Sequence, residues 1–370
     1  MFLSKKSLTR IVIAREYNNM TINSLCIFDE NSIPMLLPQS KIAATGKEVI
    51  LFTPGQEYTF SGESADIIHS ISDKLTGICT ISHLAETSGY PVDKIITLAN
   101  YLGTEHILID INNENKDMLS GRELVPLVKN EVNFWRKHIN NQPFWTRVHN
   151  GECTQREILG WGVEFYHYVD AANEYMAAGV AWCREPIDIR QKLSAQYAEE
   201  AAHGEIFLQG LKTDGLPSEL IVKSSPLPST RALINYLNEI AMESTLVYSA
   251  VFALMQSDGN DFNEETLKRY YGNLTELYPF AQGMFSAFLR HALIDVHSGH
   301  QVSIFARLYD NDIIISGDQV KRVFTTLRQL THYFILFYEY IYEYYTQASS
   351  PLPRRPPQIS DFVLADSRES

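Results

Sequence analysis

The sequence predicts a mainly α-helical protein in which a helical bundle follows a small α+β domain. Short β-branched segments flanked by turn residues are confined to the first 110 residues, and beyond them long apolar segments recur at helical spacing. A chain of 370 residues is also long for one core, so two domains are the natural division.

Residues 11–14 (IVIA) and 49–52 (VILF) read as strands. In residues 64–75, Ile67, Ile68, Ile71 and Leu75 fall on one helical face. A second short helix begins at 80–87, capped by Thr80 or Ser82, and a third, 92–102, is entered through Pro91. Residues 107–109 (ILI) read as a closing strand. Three small helices followed by a β ribbon form a winged-helix pattern, so residues 1–110 are expected to be one domain. The Asn-rich run 110–117 (DINNENKD) suggests a linker over 111–123. Residues 124–348 hold the long helices, expected at 124–139, 155–182, 187–211, 229–255, 264–271, 277–308 and 317–346. The tail, 349–370, carries four prolines within 351–357 and is expected to be flexible.

The composition excludes several classes of function. A formal net charge of -13 argues against nucleic-acid binding, which needs clustered Lys and Arg. Cys26, Cys79, Cys153 and Cys183 form no CxxC pair and read as scattered reduced thiols. The N-terminus lacks a signal-peptide pattern and no stretch is apolar enough to span a membrane, so a cytoplasmic protein is expected.

Four segments carry chemistry. In 197–208 (YAEEAAHGEIFL), Glu200 and His203 stand three apart and share a helical face, which lets one helix offer a carboxylate and an imidazole to the same metal pair. In 235–246 (NYLNEIAMESTL), Glu243 lies among Ile240, Met242, Leu246 and Val247, a costly setting unless the carboxylate is paired or metal-bound. Glu239, one turn earlier, is the substitute. In 288–300 (FLRHALIDVHSGH), His291 and Asp295 share a face. On a regular helix His297 points about 120° from His291 and His300 nearly opposite. A further E-x-x-H, Glu164 and His167, lies in the aromatic run 161–168 (WGVEFYHY) and offers extra ligands or pocket lining. Carboxylate and imidazole donors without thiolate suit iron or manganese better than structural zinc.

These segments resemble the heme-oxygenase-like di-iron oxidases and oxygenases, which are related in fold to the pyrroloquinoline-quinone synthase and thiaminase-II families. The resemblance rests on Glu199-Glu200-Ala-Ala-His203 with Asp214-Gly215-Leu216-Pro217, on Phe144-Trp145 and residues 161–169, on Glu243-Ser244-Thr245-Leu246, and on His291-x-x-x-Asp295. It covers about 220 residues. Many members carry another His three residues after the Asp; here that position is Ser298, flanked by His297 and His300, so the sixth ligand is open. In the first domain, residues 60–68 (FSGESADII), 80–85 (TISHLA) and 92–102 (VDKIITLANYL) resemble the small PqqD-like winged helix that binds precursor peptides.

The resemblance implies an iron-dependent oxidoreductase with two Fe(II) per chain and O2 as co-substrate, acting on a peptide-borne or amino-acid-like substrate in natural product biosynthesis. Glu200, His203 and Glu243 would be catalytic. The metal ligands would come from Glu200, His203, Glu243, His291, Asp295, His297, Glu164 and His167. A leader peptide would bind the first domain by strand addition, and a homodimer is compatible. The alternatives are a metal-free enzyme of the same fold, either a cofactorless oxidase or a thiaminase-like hydrolase with Cys183 as the candidate thiol, and a non-catalytic peptide-binding scaffold.

Overall fold

The computed structural model describes residues 9–13, 28–53, 56–256, 263–297 and 302–356. His300 and Cys26, singled out above, lie outside them. The chain divides into two units: Met1–Asn141 with Leu308–Arg328, and Gln142–Arg307 with Gln329–Ser370.

The first unit opens with strands β1 (Thr9–Ile13), β2 (Pro34–Leu36), β3 (Lys41–Thr45), β4 (Glu48–Thr53) and β5 (Gln56–Ser61). Four of them form a sheet in the order β1-β5-β4-β3, with β1 parallel to β5 and the other pairs antiparallel. Strand β4 alternates as a half-buried strand should: Val49 and Leu51 face inward. The β3–β4 hairpin turns at Gly46, whose φ of 64° suits glycine at the first loop position.

Three helices follow as expected: α1 (Glu63–Ile71), α2 (Ile81–Ser88) and α3 (Val92–Thr104). Thr80 caps α2, its side chain accepting from the His83 amide, and Gly89 ends it in the left-handed conformation at φ 77°. The ribbon expected after α3 is not built from consecutive strands. Strand β6 (Leu108–Asp110) instead pairs antiparallel with β2, from before the helices.

Residues 111–123 are not an open linker. The Asp110 carboxylate accepts from the amides of Ile33 (2.8 Å) and Asn112 (2.9 Å), which winds Ile111–Asn115 into a 3-10 turn. Strand β7 (Met118–Ser120) then pairs with β8 (Ile314–Ser316), almost two hundred residues away. Ser120 and Glu123 form a capping box at the start of α4 (Gly121–Ile139).

The second unit is helical: α5 (Pro143–Asn150), α6 (Gln155–Asp170), α7 (Ala172–Trp182), α8 (Ile187–Glu200), α9 (His203–Thr213), α10 (Ser218–Val222), α11 (Pro228–Glu243), α12 (Thr245–Phe252), α13 (Glu264–Leu277), α14 (Gln282–His297) and, up to Arg307, α15 (Ile304–Tyr309). The last helix, α16 (Gly317–Tyr345), belongs to this unit from Gln329 onward. The sequence predicts fewer, longer helices. The run 155–182 is interrupted at Ala171, 187–211 at residues 201–202, and 229–255 at Ser244. Ser244 is extended (φ -156°, ψ 125°) and its hydroxyl accepts from the Val247 amide, so it ends α11 and caps α12.

Helix α9 packs on α6 and α14, and α11 on α7. Phe207, Phe285 and Phe288 are buried, Trp161 meeting Phe285 and Phe288, and Phe207 meeting Phe288; a side chain of this size contributes roughly 1.5–3 kcal/mol on burial. The start of the expected flexible tail is docked: the Ser225 amide donates to the Arg354 carbonyl and the Arg354 guanidinium to the Pro226 carbonyl, both at 2.9 Å. Among the described residues no helix is long and apolar enough to cross a membrane.

Candidate metal centre

Three of the predicted site residues converge in the second unit. Glu200 closes α8 and His203 opens α9, so the break at 201–202 separates them into two helices instead of leaving them on one face of a continuous helix. The turn brings His203 Nδ1 to 2.6 Å from Glu200 Oε2. His291, on α14, sets its Nε2 3.9 Å from the same oxygen, and the two imidazole rings meet edge-on at 4.5 Å between centroids. One donor atom from each of Glu200, His203 and His291 falls within 4.8 Å of the others. Side-chain exposures of 13%, 6% and 21% keep these donors largely out of water.

Asp295 stands one turn beyond His291, its Oδ2 3.4 Å from His291 Nδ1. It therefore faces the far nitrogen of the ring and lies outside the cluster of three. This is the arrangement in which a carboxylate fixes the tautomer and orientation of a metal-binding imidazole.

The cluster borders a cavity of about 90 Å³. Its walls include Phe165, Tyr168, Tyr175, Met176, Phe252 and Gln256, with Glu200, His291 and Asp295 at the polar side. Burial, followed by neighbouring tyrosines and the Glu200 charge, raises the pKa of Tyr168 and Tyr175 well above the ordinary value; for Tyr248 burial and then Glu200 do the same. All three are neutral phenols. The sequence reading missed them. Tyr168 and Tyr175 are seven residues apart, a spacing that was readable, whereas Tyr248 sits in an apolar run with no distinguishing mark.

The other predicted ligands go elsewhere. Glu243 is the last residue of α11 and is exposed, because the chain turns at Ser244 before the apolar neighbours that follow are buried; Glu239 is exposed as well. His297 ends α14 with its side chain 67% exposed, 3.7 Å from Glu264 Oε2. Glu164 is fully buried, and its carboxylate accepts from the Leu227 amide (2.9 Å), the Thr230 hydroxyl (2.6 Å) and the Tyr345 hydroxyl (3.0 Å). It ties α6 to the start of α11 and the end of α16. His167 Nε2 lies 2.7 Å from Ser224 Oγ. That hydroxyl donates to the Ile221 carbonyl at 2.6 Å, so it accepts from His167, which is the neutral Nε2–H tautomer. Cys183, the candidate nucleophile of a hydrolase, is buried at the end of α7 and is not among the residues lining the cavity.

Residues 129–256 match the model of the TENA/THI-4/PQQC family. The matched stretch is helical almost throughout and falls within the helical domain expected from the sequence. A comparison with curated proteins finds no match. Among solved structures, the chain is similar to a domain of unknown function with a heme oxygenase-like fold from Shewanella denitrificans, at 18% identity over 60% of this chain and 93% of that one, with a TM-score of 0.47. It is similar to a TenA homologue from P. horikoshii at 11% identity over 60% and 98%, TM-score 0.45. A TenA homologue from Pseudomonas syringae pv. tomato follows at 14% identity over 60% and 93%, TM-score 0.45.

The donor set suits a divalent transition metal. Two imidazoles and one carboxylate on three helices form the ligand combination of non-heme Fe(II) sites that leave coordination positions open. Thiolate is absent from the cluster of three, which disfavours a structural zinc site.

Proposed function

We propose that this protein is a metal-dependent enzyme, a non-heme iron oxidase or oxygenase that uses O2, with the ion held by Glu200, His203 and His291. The observation that carries the reading is the convergence of one carboxylate and two imidazoles from separate helices beside an aromatic-lined cavity. The matched family contains enzymes, and this reading adds the metal chemistry. Bound iron would supply the redox step with O2. The chain's own residues do the rest. Asp295, 3.4 Å from His291 Nδ1, would accept from an Nδ1–H and so leave the Nε2 lone pair for the ion. The aromatic walls would limit water around the donors, and the neutral phenols of Tyr168 and Tyr175, which line the cavity, would offer hydrogen bonds to a substrate near Glu200.

The reading is of one ion instead of the two that the family resemblance implies. The exposed positions of Glu243 and His297 support this, since neither adds a donor to the cluster. The first domain would present a peptide or peptide-borne substrate. Among the described residues, β3 is the last strand of its sheet, and an open edge of this kind accepts an added strand.

The test is metal analysis of protein loaded with Fe(II) without oxygen, followed by O2 consumption. About one iron per chain is expected, with loss of binding in Glu200→Ala, His203→Ala and His291→Ala. Asp295→Ala is expected to weaken binding about 10–100-fold without abolishing it. Two irons per chain would restore the dinuclear reading. No iron, with the fold intact, would point to a metal-free enzyme.

A further inference from the structure

Two of the three proposed ligands sit on α9 and α14, and these helices run antiparallel in contact. Their pairing descends in layers. His203 meets His291 at 4.5 Å between ring centroids, and one turn further Phe207 meets Phe288 at 5.0 Å. Another turn on, Gly210 meets Gly283 backbone to backbone. A Cβ on Gly210 would lie 2.7 Å from the Gly283 carbonyl oxygen, and a Cβ on Gly283 2.4 Å from that of Gly210. No side chain fits at either position without moving a helix. At the end of this seam Asp214, the first residue after α9, accepts from two successive amides of α14: Gly283 N on Oδ1 and Met284 N on Oδ2, both at 2.7 Å.

We propose that Asp214 is a positioning residue for the metal centre, locking the register of α14 against α9 so that His291 arrives opposite His203. The two amides belong to the first turn of α14, where backbone donors have no partner within the helix. Holding both at once with one carboxylate fixes α14 along its axis and about it. A slip of one residue would shift His291 by about 1.5 Å and turn it by about 100°, out of the cluster. The glycine contact sets the distance between the helices, and Asp214 sets the register. The clamp acts through about 11 Å of helix, the length of the seven to eight residues between the glycines and the ligands. The inference rests on the reading that Glu200, His203 and His291 hold a metal.

Titration of full-length, metal-stripped protein with Co(II), followed by its visible absorption bands, tests both ideas separately. Wild-type protein is expected to give the bands of a bound ion. Asp214→Asn keeps one acceptor and loses the other, so its Co(II) affinity is expected to fall, and that of Asp214→Ala to fall further, by about 10–100-fold, with shifted bands. Thermal unfolding of the metal-free variants tells a weakened site from a weakened fold. If Asp214→Ala does not fold, Asp214→Asn carries the test. Variants that bind Co(II) with wild-type affinity and spectrum overturn the role of Asp214, even if they melt earlier. A wild-type protein that shows no Co(II) bands overturns the metal reading, and the positioning role with it.

Discussion

Glu164 offers the most discriminating perturbation, because its sequence context suggests a metal ligand and its surroundings make it a structural anchor. Its carboxylate accepts three hydrogen bonds, from the Leu227 amide, the Thr230 hydroxyl and the Tyr345 hydroxyl. Thr230 and Tyr345 are both 0% exposed, so no water replaces the carboxylate when it is removed. Each buried donor left without an acceptor costs about 1–3 kcal/mol. Relief of the buried carboxylate's own desolvation offsets part of that, and Glu164→Ala is expected to lose about 3–5 kcal/mol of stability. Glu164→Gln keeps a carbonyl acceptor and is expected to lose about 1 kcal/mol or less near neutral pH. The pH dependence has a definite sign. Burial raises the Glu164 pKa above its ordinary 4.5, with the hydrogen bonds from Thr230, Leu227 and Tyr345 pulling against it. The folded state therefore binds the proton more tightly than the unfolded state. Stability from this group is fully present below the unfolded pKa and is lost as pH rises through the folded one. Urea unfolding of wild type and Glu164→Gln from acid to alkaline pH reads this directly: the wild-type curve should fall with rising pH where the Gln curve does not. Metal content measured in parallel completes the test. An Ala variant within 1 kcal/mol of wild type, or a folded Gln variant that has lost its metal, would refute the anchoring role.

Glu243→Ala is expected to leave iron content unchanged and stability within about 0.5 kcal/mol, since the residue is exposed at a helix end; loss of metal in this variant would return Glu243 to the ligand set. His167 acts oppositely to Glu164 in pH. Burial, with Arg231 nearby, lowers its pKa to about 4 from 6.5. The stability it contributes is present above the unfolded pKa and lost as pH falls from about 6.5 toward 4, by up to about 3 kcal/mol. Wild-type unfolding midpoints should drop over that interval while those of His167→Gln change less; parallel curves would show that the imidazole remains accessible to protons.

The sequence by itself determined which side chains share a local face. The recurrence of apolar residues at helical spacing marked α1, α3, α4 and most helices of the bundle, and β-branched runs marked β1 and β4. The same arithmetic paired His291 with Asp295, and it set Glu200 close to His203 even though a break divides their helix. Spacing does not say which face turns inward, and there the tertiary structure decided. Glu164 and Glu243 both stand among apolar neighbours in sequence, yet one is enclosed and the other meets solvent. The partners that distinguish them lie far along the chain: Thr230 is 66 residues from Glu164, and Tyr345 is 181. The strand pair β7–β8 and the Asp214 clamp on α14 likewise join segments with no local signal of one another. A buried carboxylate persists only where distant donors are brought to it, and where those donors sit is fixed by how the helices pack, not by residues next to it in sequence.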